Sequence, residues 1–265
     1  MNRGGDRMRV NRIYNYIAPW LLPIILISLW QVLSMVGVIS SHILPQPSVV
    51  LKTTASLMAT GEIWTHISVS TLRALTGFAI GGSIGFLLGL LNGLYPLAKK
   101  YLDTTVQMLR NVPHLALIPI VILWFGVGEE AKIFLVAIGV FFPIYINTYH
   151  GIRSVDKKLI EMGEVYRLSH WHLFKHVIFK GALPSILVGI RYSLGVMWLT
   201  LIVAETVAAT SGIGYMAMNA REFMQLDIVV IAILLYALLG KMADVTAGAF
   251  ERRLLRWNSA YQLKN

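Results

Sequence analysis

Long apolar stretches separated by short polar ones make up most of this 265-residue chain. A helix needs about 20 apolar residues to cross the hydrocarbon core of a membrane. The pattern predicts about six such helices, over residues 17–39, 72–94, 105–127, 133–149, 182–204 and 228–250. The first run is too long for the core of a signal peptide, so we expect it to be retained. We therefore predict an all-α integral membrane protein with a single transmembrane domain, residues 1–265.

The third predicted span is the least regular of the six. Residues 115–127 alone are too short to cross a membrane. The helix must therefore include Arg110, Asn111 and Pro113 near one end, where a long Arg side chain can reach the interface.

One polar segment, residues 153–180, stands apart because it has a helical pattern of its own. Its apolar residues recur every three or four positions, with a break near Leu168 where Ser169 can cap a new helix. This predicts two short helices joined by a turn, and a basic amphipathic segment between membrane spans indicates a docking surface. His172 and His176 are spaced i, i+4, but no third metal ligand accompanies them, so we expect no metal site.

Composition and charge distribution support a membrane protein and orient it. Hydrophobic residues make up 56% of the chain and charged residues 14%, and the mean hydropathy of +0.66 excludes a soluble domain. Of the 23 Lys and Arg residues, 17 lie in the N-terminus, the second and fourth loops and the C-terminal tail. The positive-inside rule places both termini and residues 153–180 in the cytoplasm. The net charge of +10 then reflects orientation and anionic lipid headgroups, and we expect no nucleic-acid partner.

Several chemistries have no residues to support them. The chain has no cysteine, so neither a disulfide nor a thiolate metal site can form. Gly240 and Lys241 are followed by Met242 and lack the first glycine of a phosphate-binding loop. We therefore expect no catalytic residue, no metal and no nucleotide site, and any ATP must be bound by another subunit.

Five glycines, spaced four residues apart, follow one stripe of the second span: Gly77, Gly81, Gly85, Gly89 and Gly93. Such a stripe lets another helix approach closely. Ordinary close packing is the simpler interpretation, and a sliding surface in a moving bundle is the alternative.

Charged residues inside the last two spans indicate a polar stripe. Arg191, Trp198 and Glu205 are spaced i, i+7, i+14, which returns them nearly to one helical face. Arg191 and Glu205 are about 21 Å apart along the helix, so they cannot pair with each other. They either pair with other helices or line a wet translocation pathway, whereas Lys241 and Asp244 can pair locally.

Three roles fit residues 209–227, which the charge count places outside the cytoplasm. Met216, Met218, Phe223 and Met224 predict a partly buried segment. A gate, a receptor-facing helix and a simple re-entrant cap all fit this pattern.

Residues of the polar segment resemble the "EAA" loop of permease subunits in bacterial ATP-binding cassette importers. The matching residues are Glu161, Met162, Gly163, Leu168, Ser169, Phe174, Val177 and Gly181 to Ile186. Two positions depart from the family. It usually has Ala where Gly163 stands, and it has a glycine at the turn where this chain has Arg167.

A narrower resemblance, covering most of the chain, is to permeases for aliphatic sulfonates in the nitrate, sulfonate and taurine group. It is carried by residues 43–45 and 47, 110–119, 124–126, 143–148, 197–205 and 217–223. The resemblance implies the type I importer permease fold in the bacterial cytoplasmic membrane. It also implies a homodimer with two ATPase subunits that bind ATP and Mg, and a periplasmic or lipid-anchored solute-binding protein.

The resemblance also implies roles for individual residues. The residues that contact the ATPase subunit would be Glu161, Met162, Gly163, Arg167, Leu168, Ser169 and Phe174. The residues that line the translocation pathway would be Arg191, Trp198 and Glu205. The solute could instead be taurine, nitrate or another small anion. A secondary transporter or channel that needs no ATPase is the alternative from another class.

Overall fold

The computed structural model describes residues 3–41 and 43–257, and helices account for most of them. Residues 1, 2 and 258–265 lie outside the described residues, so the predicted cytoplasmic placement of the chain ends concerns residues that are not described. The α-helices of the described part are α1 Arg3–Met35, α2 Pro47–Ala59, α3 Glu62–Leu94, α4 Pro96–Arg110, α5 Ile118–Phe125, α6 Glu129–Arg153, α7 Lys157–Val165, α8 His170–Leu173, α9 Phe179–Ala208, α10 Ile213–Glu222 and α11 Leu226–Leu254.

Four helices of the described residues are long and apolar enough to cross a membrane: Glu62–Leu94, Glu129–Arg153, His170–Val207 and Leu226–Leu254. They contain the second, fourth, fifth and sixth predicted spans, and each is longer than predicted. The first predicted span falls in α1, whose apolar part Trp20–Met35 is shorter than these four. This helix ends at Met35 rather than Ile39, and Gly37 then turns the chain with a φ of +82°.

The third predicted span, residues 105–127, is sharply bent rather than one continuous helix. Helix α4 and the following helical residues His114–Phe125 meet at an angle of 80°, and the pair makes a fifth span only if it is counted together. Pro113 is the physical reason, because it has no N–H to donate and drives the residue before it toward extended geometry. His114 then ties the bend to α9, with its Nε2 lying 3.0 Å from Oγ1 of Thr200.

The described chain divides into two compact units. The first holds the residues up to Ile63 together with Ala217–Ile231. Within it the amide of Gln31 binds the Ser48 backbone and hydroxyl at 3.0 and 3.2 Å. The Thr53 hydroxyl donates to Asp227 over 2.6 Å. Helix α2 was absent from the predicted spans because its 13 residues are too few to cross a membrane.

The second unit holds Trp64–Met216 and the residues from Ala232 onward. At its centre α6 packs on α9 through small residues. A Cβ added to Gly151 would lie 2.9 Å from the carbonyl oxygen of Ala182, and one added to Gly189 would lie 3.1 Å from that of Pro143. Ordinary side chains at these positions would force the two helices apart.

Helix α3 packs on α6 along the predicted glycine stripe. A Cβ at Gly85 would lie 2.5 Å from the carbonyl oxygen of Phe141, and one at Gly89 would lie 2.8 Å from that of Tyr145. At Gly81 a Cβ would overlap the backbone of Ala137. Gly77 and Gly93 contact Val136 and Ile152 in the same way. The stripe therefore lets the α3 backbone lie directly against α6.

Candidate functional site

The polar segment begins with a well-capped helix, α7. The side chain of Asp156 accepts from the backbone N–H of Lys158 over 2.9 Å, which satisfies one of the free donors at the helix start. At the other end the Leu168 N–H donates to the Gly163 carbonyl and the Arg167 N–H to the Glu164 carbonyl, over 3.0 and 2.8 Å. These two bonds form a Schellman turn, so the end of α7 is fixed in direction.

Arg167 occupies the position of this turn that normally belongs to glycine. Its φ is +56°, in the left-handed region, where a side chain costs roughly 1–2 kcal/mol. Arg167 is one of the two positions, with Gly163, at which the segment departs from the EAA loop. The structure keeps the turn geometry that a glycine would give, at the expense of local strain.

After the turn, Ser169 caps the next helix as predicted. Its hydroxyl accepts from the backbone N–H of His172 over 3.4 Å. The second short helix is not separate, however, which corrects the prediction. Helix α8 continues through a π-helical stretch, Phe174–Ile178, into α9, because residues 170–180 contain neither Pro nor Gly to end it.

The exposed surface of the segment is partly apolar. Val165 is 81% exposed and Trp171 65% exposed, and Met162 and Leu168 are also exposed. Glu161 is exposed beside them, while Gly163 is buried under Leu173. Exposed apolar side chains that are grouped in this way favour contact with another protein or with the membrane surface.

A second polar site, the sealed network, surrounds the buried carboxylate of Glu205. This side chain is fully buried. Its oxygens accept from the Ser70 hydroxyl and Arg73 Nη1 at 2.8 Å, and from the Gly214 N–H and the Tyr236 hydroxyl at 2.9 Å. The carboxylate thus lies at the N-terminus of α10, where the helix dipole favours negative charge.

Arg73 extends the sealed network outward. Its guanidinium also binds both oxygens of Glu129, and it donates to the Ser211 carbonyl over 2.6 Å. Lys132, itself buried, binds Glu129 over 3.4 Å. Glu205, Arg73, Glu129 and Lys132 therefore alternate in sign and sum to zero charge, which is how the three buried ions are tolerated beside Glu129, whose side chain is 54% exposed.

Sequence reasoning placed Glu205 in a polar stripe but missed its partners. The available signal was Arg73, a second ionisable residue inside a predicted span. Because charges in spans are costly in lipid, each requires a partner or water. Which two charges meet depends on how helices pack, and that information is not in the linear pattern.

The third polar site, the open cluster, centres on Arg191. Its Nε binds Asp244 over 2.7 Å and its Nη1 binds Glu251 over 3.3 Å. The Arg191 side chain is 46% exposed and that of Asp244 is 41% exposed. Lys241 lies 3.7 Å from Asp244, as the i, i+3 spacing predicted.

The predicted stripe on α9 faces α11, and its Glu205 end also contacts α3 and α10. Arg191, Trp198 and Glu205 all contact α11, because Trp198 stacks edge-on against Tyr236 and Glu205 accepts from the same Tyr236. Trp198 is 8% exposed, and its indole Nε1 is buried with no acceptor among the described residues. For Arg191 and Glu205 the observed pairs lie between helices, the first of the two alternatives. A pathway role for the stripe stays a prediction.

A bundle of long apolar helices with internal ion pairs and an exposed amphipathic segment defines a multi-pass membrane transport component. Residues 81–256 match the family described as the binding-protein-dependent transport system inner membrane component, and the chain belongs to that family. It is therefore a permease of the ATP-binding cassette importers located in the inner membrane, which confirms the predicted family.

Individual relatives extend over nearly the whole chain. The putative aliphatic sulfonates transport permease protein SsuC of Escherichia coli (strain K12) is 62% identical over 94% of each chain. The taurine transport system permease protein TauC of the same strain is 32% identical over 90% of this chain and 88% of its own. Among solved structures, an amino acid ABC transporter superposes with a TM-score of 0.62 at 16% identity, over 76% of this chain and 97% of that one. The predicted importer permease fold is confirmed.

Proposed function

We propose that this chain is the membrane-spanning subunit of an ATP-driven importer that carries aliphatic sulfonates across the cytoplasmic membrane. The observation that carries the solute class is the 62% identity, over 94% of both chains, to a permease named for aliphatic sulfonates. The chain does no covalent chemistry and binds no nucleotide, cofactor or metal of its own. It acts as one permease domain, with both termini in the cytoplasm.

Residues 153–180 dock a separate ATP-binding subunit. The contact set is Glu161, Met162, Gly163, Arg167, Leu168, Ser169 and Phe174, of which the buried Gly163 contributes by letting Leu173 pack against α7. Two features support the assignment, because a coupling element must bind its partner and must also be rigid. The exposed apolar side chains provide a binding surface, and the fixed turn at Arg167 makes the segment rigid. The assembly contains two copies of this chain, two ATP-binding subunits that hold ATP and Mg, and a periplasmic or lipid-anchored solute-binding protein.

ATP binding closes the two ATPase subunits on each other, and each docked segment transmits that movement to its permease. The paired bundles then rock between inward-facing and outward-facing states. The stripe of Arg191, Trp198 and Glu205 borders the pathway, with Arg191 as its exposed, positively charged end. The glycine stripe on α3 holds the bundle together during this motion.

Reconstitution in liposomes tests the proposal. The complex of this chain with its ATP-binding and solute-binding partners is expected to accumulate ethanesulfonate only when ATP is present. An otherwise identical complex with a hydrolysis-deficient ATPase is the control and is expected to show none. Uptake that persists without any ATPase subunit would instead identify a secondary transporter or channel.

Taurine is the second candidate solute, and the 32% identity to TauC favours it. Taurine is itself a sulfonate that carries an additional ammonium group. Competition separates the two assignments: excess taurine is expected to inhibit ethanesulfonate uptake weakly if the importer is built for uncharged alkyl chains. Stronger inhibition by taurine than by propanesulfonate would make taurine the solute.

The coupling role of the polar segment is tested by Glu161→Lys. Reversing an exposed charge on α7 is expected to lower ethanesulfonate uptake at least several-fold while ATP hydrolysis continues, because the docking contact is mismatched. Glu164→Lys makes the same charge change one turn away, outside the contact set, and is the control. Equal uptake by Glu161→Lys and the unmodified complex would refute docking at this residue.

A further inference from the structure

The open cluster combines features that a purely structural ion pair does not need. Arg191 lies about 18 Å from the start of α9, well inside an apolar helix. Asp244 lies about 15 Å from the end of α11. Both residues lie inside predicted spans, where charged side chains face protein or a water-filled cavity because lipid does not solvate them. Yet about half of the Arg191 side chain is exposed in the single chain.

The guanidinium of Arg191 also has spare capacity. It carries five N–H donors in a planar fork, more than the contacts to Asp244 and Glu251 use. The Glu251 contact is the longer of the two, at 3.3 Å. An anion with several oxygens could take this place without movement of either helix backbone.

The charges around Arg191 balance, which suits exchange rather than permanent capture. Arg191 and Lys241 offset Asp244 and Glu251, so the empty site carries no excess charge. A bound anion would displace a carboxylate from the guanidinium, and the carboxylate would compete for the place again when the anion leaves. A carrier must release what it binds, so competition of this kind is useful to it.

We propose that Arg191, Asp244 and Glu251 form an anion-exchange site, where an oxyanion headgroup of the sulfonate class binds the Arg191 guanidinium in place of a carboxylate. The solute class rests on the proposed function, whereas the charge and the exchange mechanism rest on the cluster itself. The site binds the headgroup of the solute and does not contact its alkyl part.

The absence of cysteine from the chain allows a direct test. Arg191→Cys creates the only thiol in the permease, and its ATP-dependent uptake of ethanesulfonate is expected to fall about tenfold or more, as for the loss of a charge-assisted contact. A methanethiosulfonate reagent carrying an ammonium group would restore a positive charge and should recover much of the uptake. The reagent carrying a sulfonate should recover none.

Two controls make the result specific. Lys241→Cys removes a positive charge that contacts the same Asp244 but no bound anion, so its uptake is expected to fall clearly less than that of Arg191→Cys. The unmodified complex, treated with both reagents, corrects for thiols in the partner subunits. Ethanesulfonate is also expected to slow modification of Cys at position 191 but not at 241.

Three outcomes would overturn the proposal. They are failure of both reagents to react, recovery by both reagents equally, and full uptake by Arg191→Cys without treatment. A charge swap, Arg191→Asp with Asp244→Arg, keeps a pair between α9 and α11, and full recovery by the swap would show that pairing alone matters. If the unmodified complex transports nitrate but no sulfonate, the proposed function fails, and the same reagents then test the site with nitrate.

Discussion

Two arginines in the same unit, Arg73 and Arg191, each bind two carboxylates, and they differ in how deeply the guanidinium is buried. Arg73 is 3% exposed and its partner Glu205 is fully buried. Arg191 and its partner Asp244 are both more than 40% exposed. A sealed charge network must be satisfied for the helices to pack, whereas an open one can exchange its partners.

The contacts of the two sites show the same contrast. Glu205 accepts hydrogen bonds from four residues, including the backbone of α10. Through Arg73 and Ser211 the sealed network also holds the connection between α9 and α10. Arg191 contacts only side chains of α11 within the described residues. Loss of Glu205 should therefore disturb several elements at once, and loss of Arg191 should disturb few.

The largest effect is expected from Glu205→Ala. It removes one of the two carboxylates that bind the buried Arg73 guanidinium and leaves the donors of Ser70, Gly214 and Tyr236 without their acceptor, which should lower the free energy of unfolding by about 3–5 kcal/mol. The thermal midpoint of the detergent-purified complex, followed by fluorescence, measures this. Asp244→Ala removes a carboxylate from the open cluster and is the matched control, with a much smaller expected shift. Equal shifts of the thermal midpoint in the two variants would contradict the distinction between the sealed network and the open cluster.

A smaller effect on stability is expected from two glycines, one of which is tightly packed while the other has open space around it. Gly81→Ala places a Cβ against the backbone of Ala137 and should destabilise the protein by about 1–3 kcal/mol through overpacking. Gly240→Ala, on α11, meets no atom within 4 Å and should stabilise the helix by about 0.5–1 kcal/mol. We expect Gly81→Ala to lower the thermal midpoint and Gly240→Ala to raise it. A lower midpoint in both variants would contradict the packing described for α3.

The smallest effect concerns the turn of the exposed coupling segment. Arg167→Gly relieves the strain of the left-handed backbone conformation but raises the conformational entropy of the unfolded chain. The free energy of unfolding is therefore expected to rise by only about 0.5–1 kcal/mol. Met224→Gly is the matched variant, because Met224 has a φ of +58° at a second Schellman turn after α10. Arg167→Val, with its branched Cβ, should be destabilising. A loss of stability in Arg167→Gly, measured in the same thermal assay, would show that the side chain contributes more than its strain.

The sequence predicted those parts of the fold that depend on local pattern. Helices α3, α6, α9 and α11 follow from uninterrupted apolar runs, and the cap at Ser169 follows from a short-range rule. The bend after α4 was missed although Pro113 signalled it. A requirement that every apolar run cross the membrane outweighed the local chemistry of proline.

The sites were predictable to a smaller extent for a different reason. The spacing of Arg191, Trp198 and Glu205 correctly placed all three on one face of α9. Their burial, from half-exposed to sealed, depends on which helices lie opposite. Residues 209–227 show the same limit: the segment is partly buried as predicted, with Met216 3% exposed, but Phe223 and Met224 are 68% and 71% exposed. Apolar character alone cannot distinguish a residue that packs inside one chain from one left on its surface.

The most direct test of the central claim is ATP-driven uptake of ethanesulfonate by Arg191→Gln, expressed per assembled complex in liposomes. The open cluster is expected to serve transport and not folding. Arg191→Gln should therefore assemble with its partners and keep its thermal midpoint close to that of the unmodified complex, while its uptake falls about tenfold or more. Full uptake by the assembled variant, or failure to assemble at all, would contradict the assignment of the sealed network to folding and the open cluster to transport.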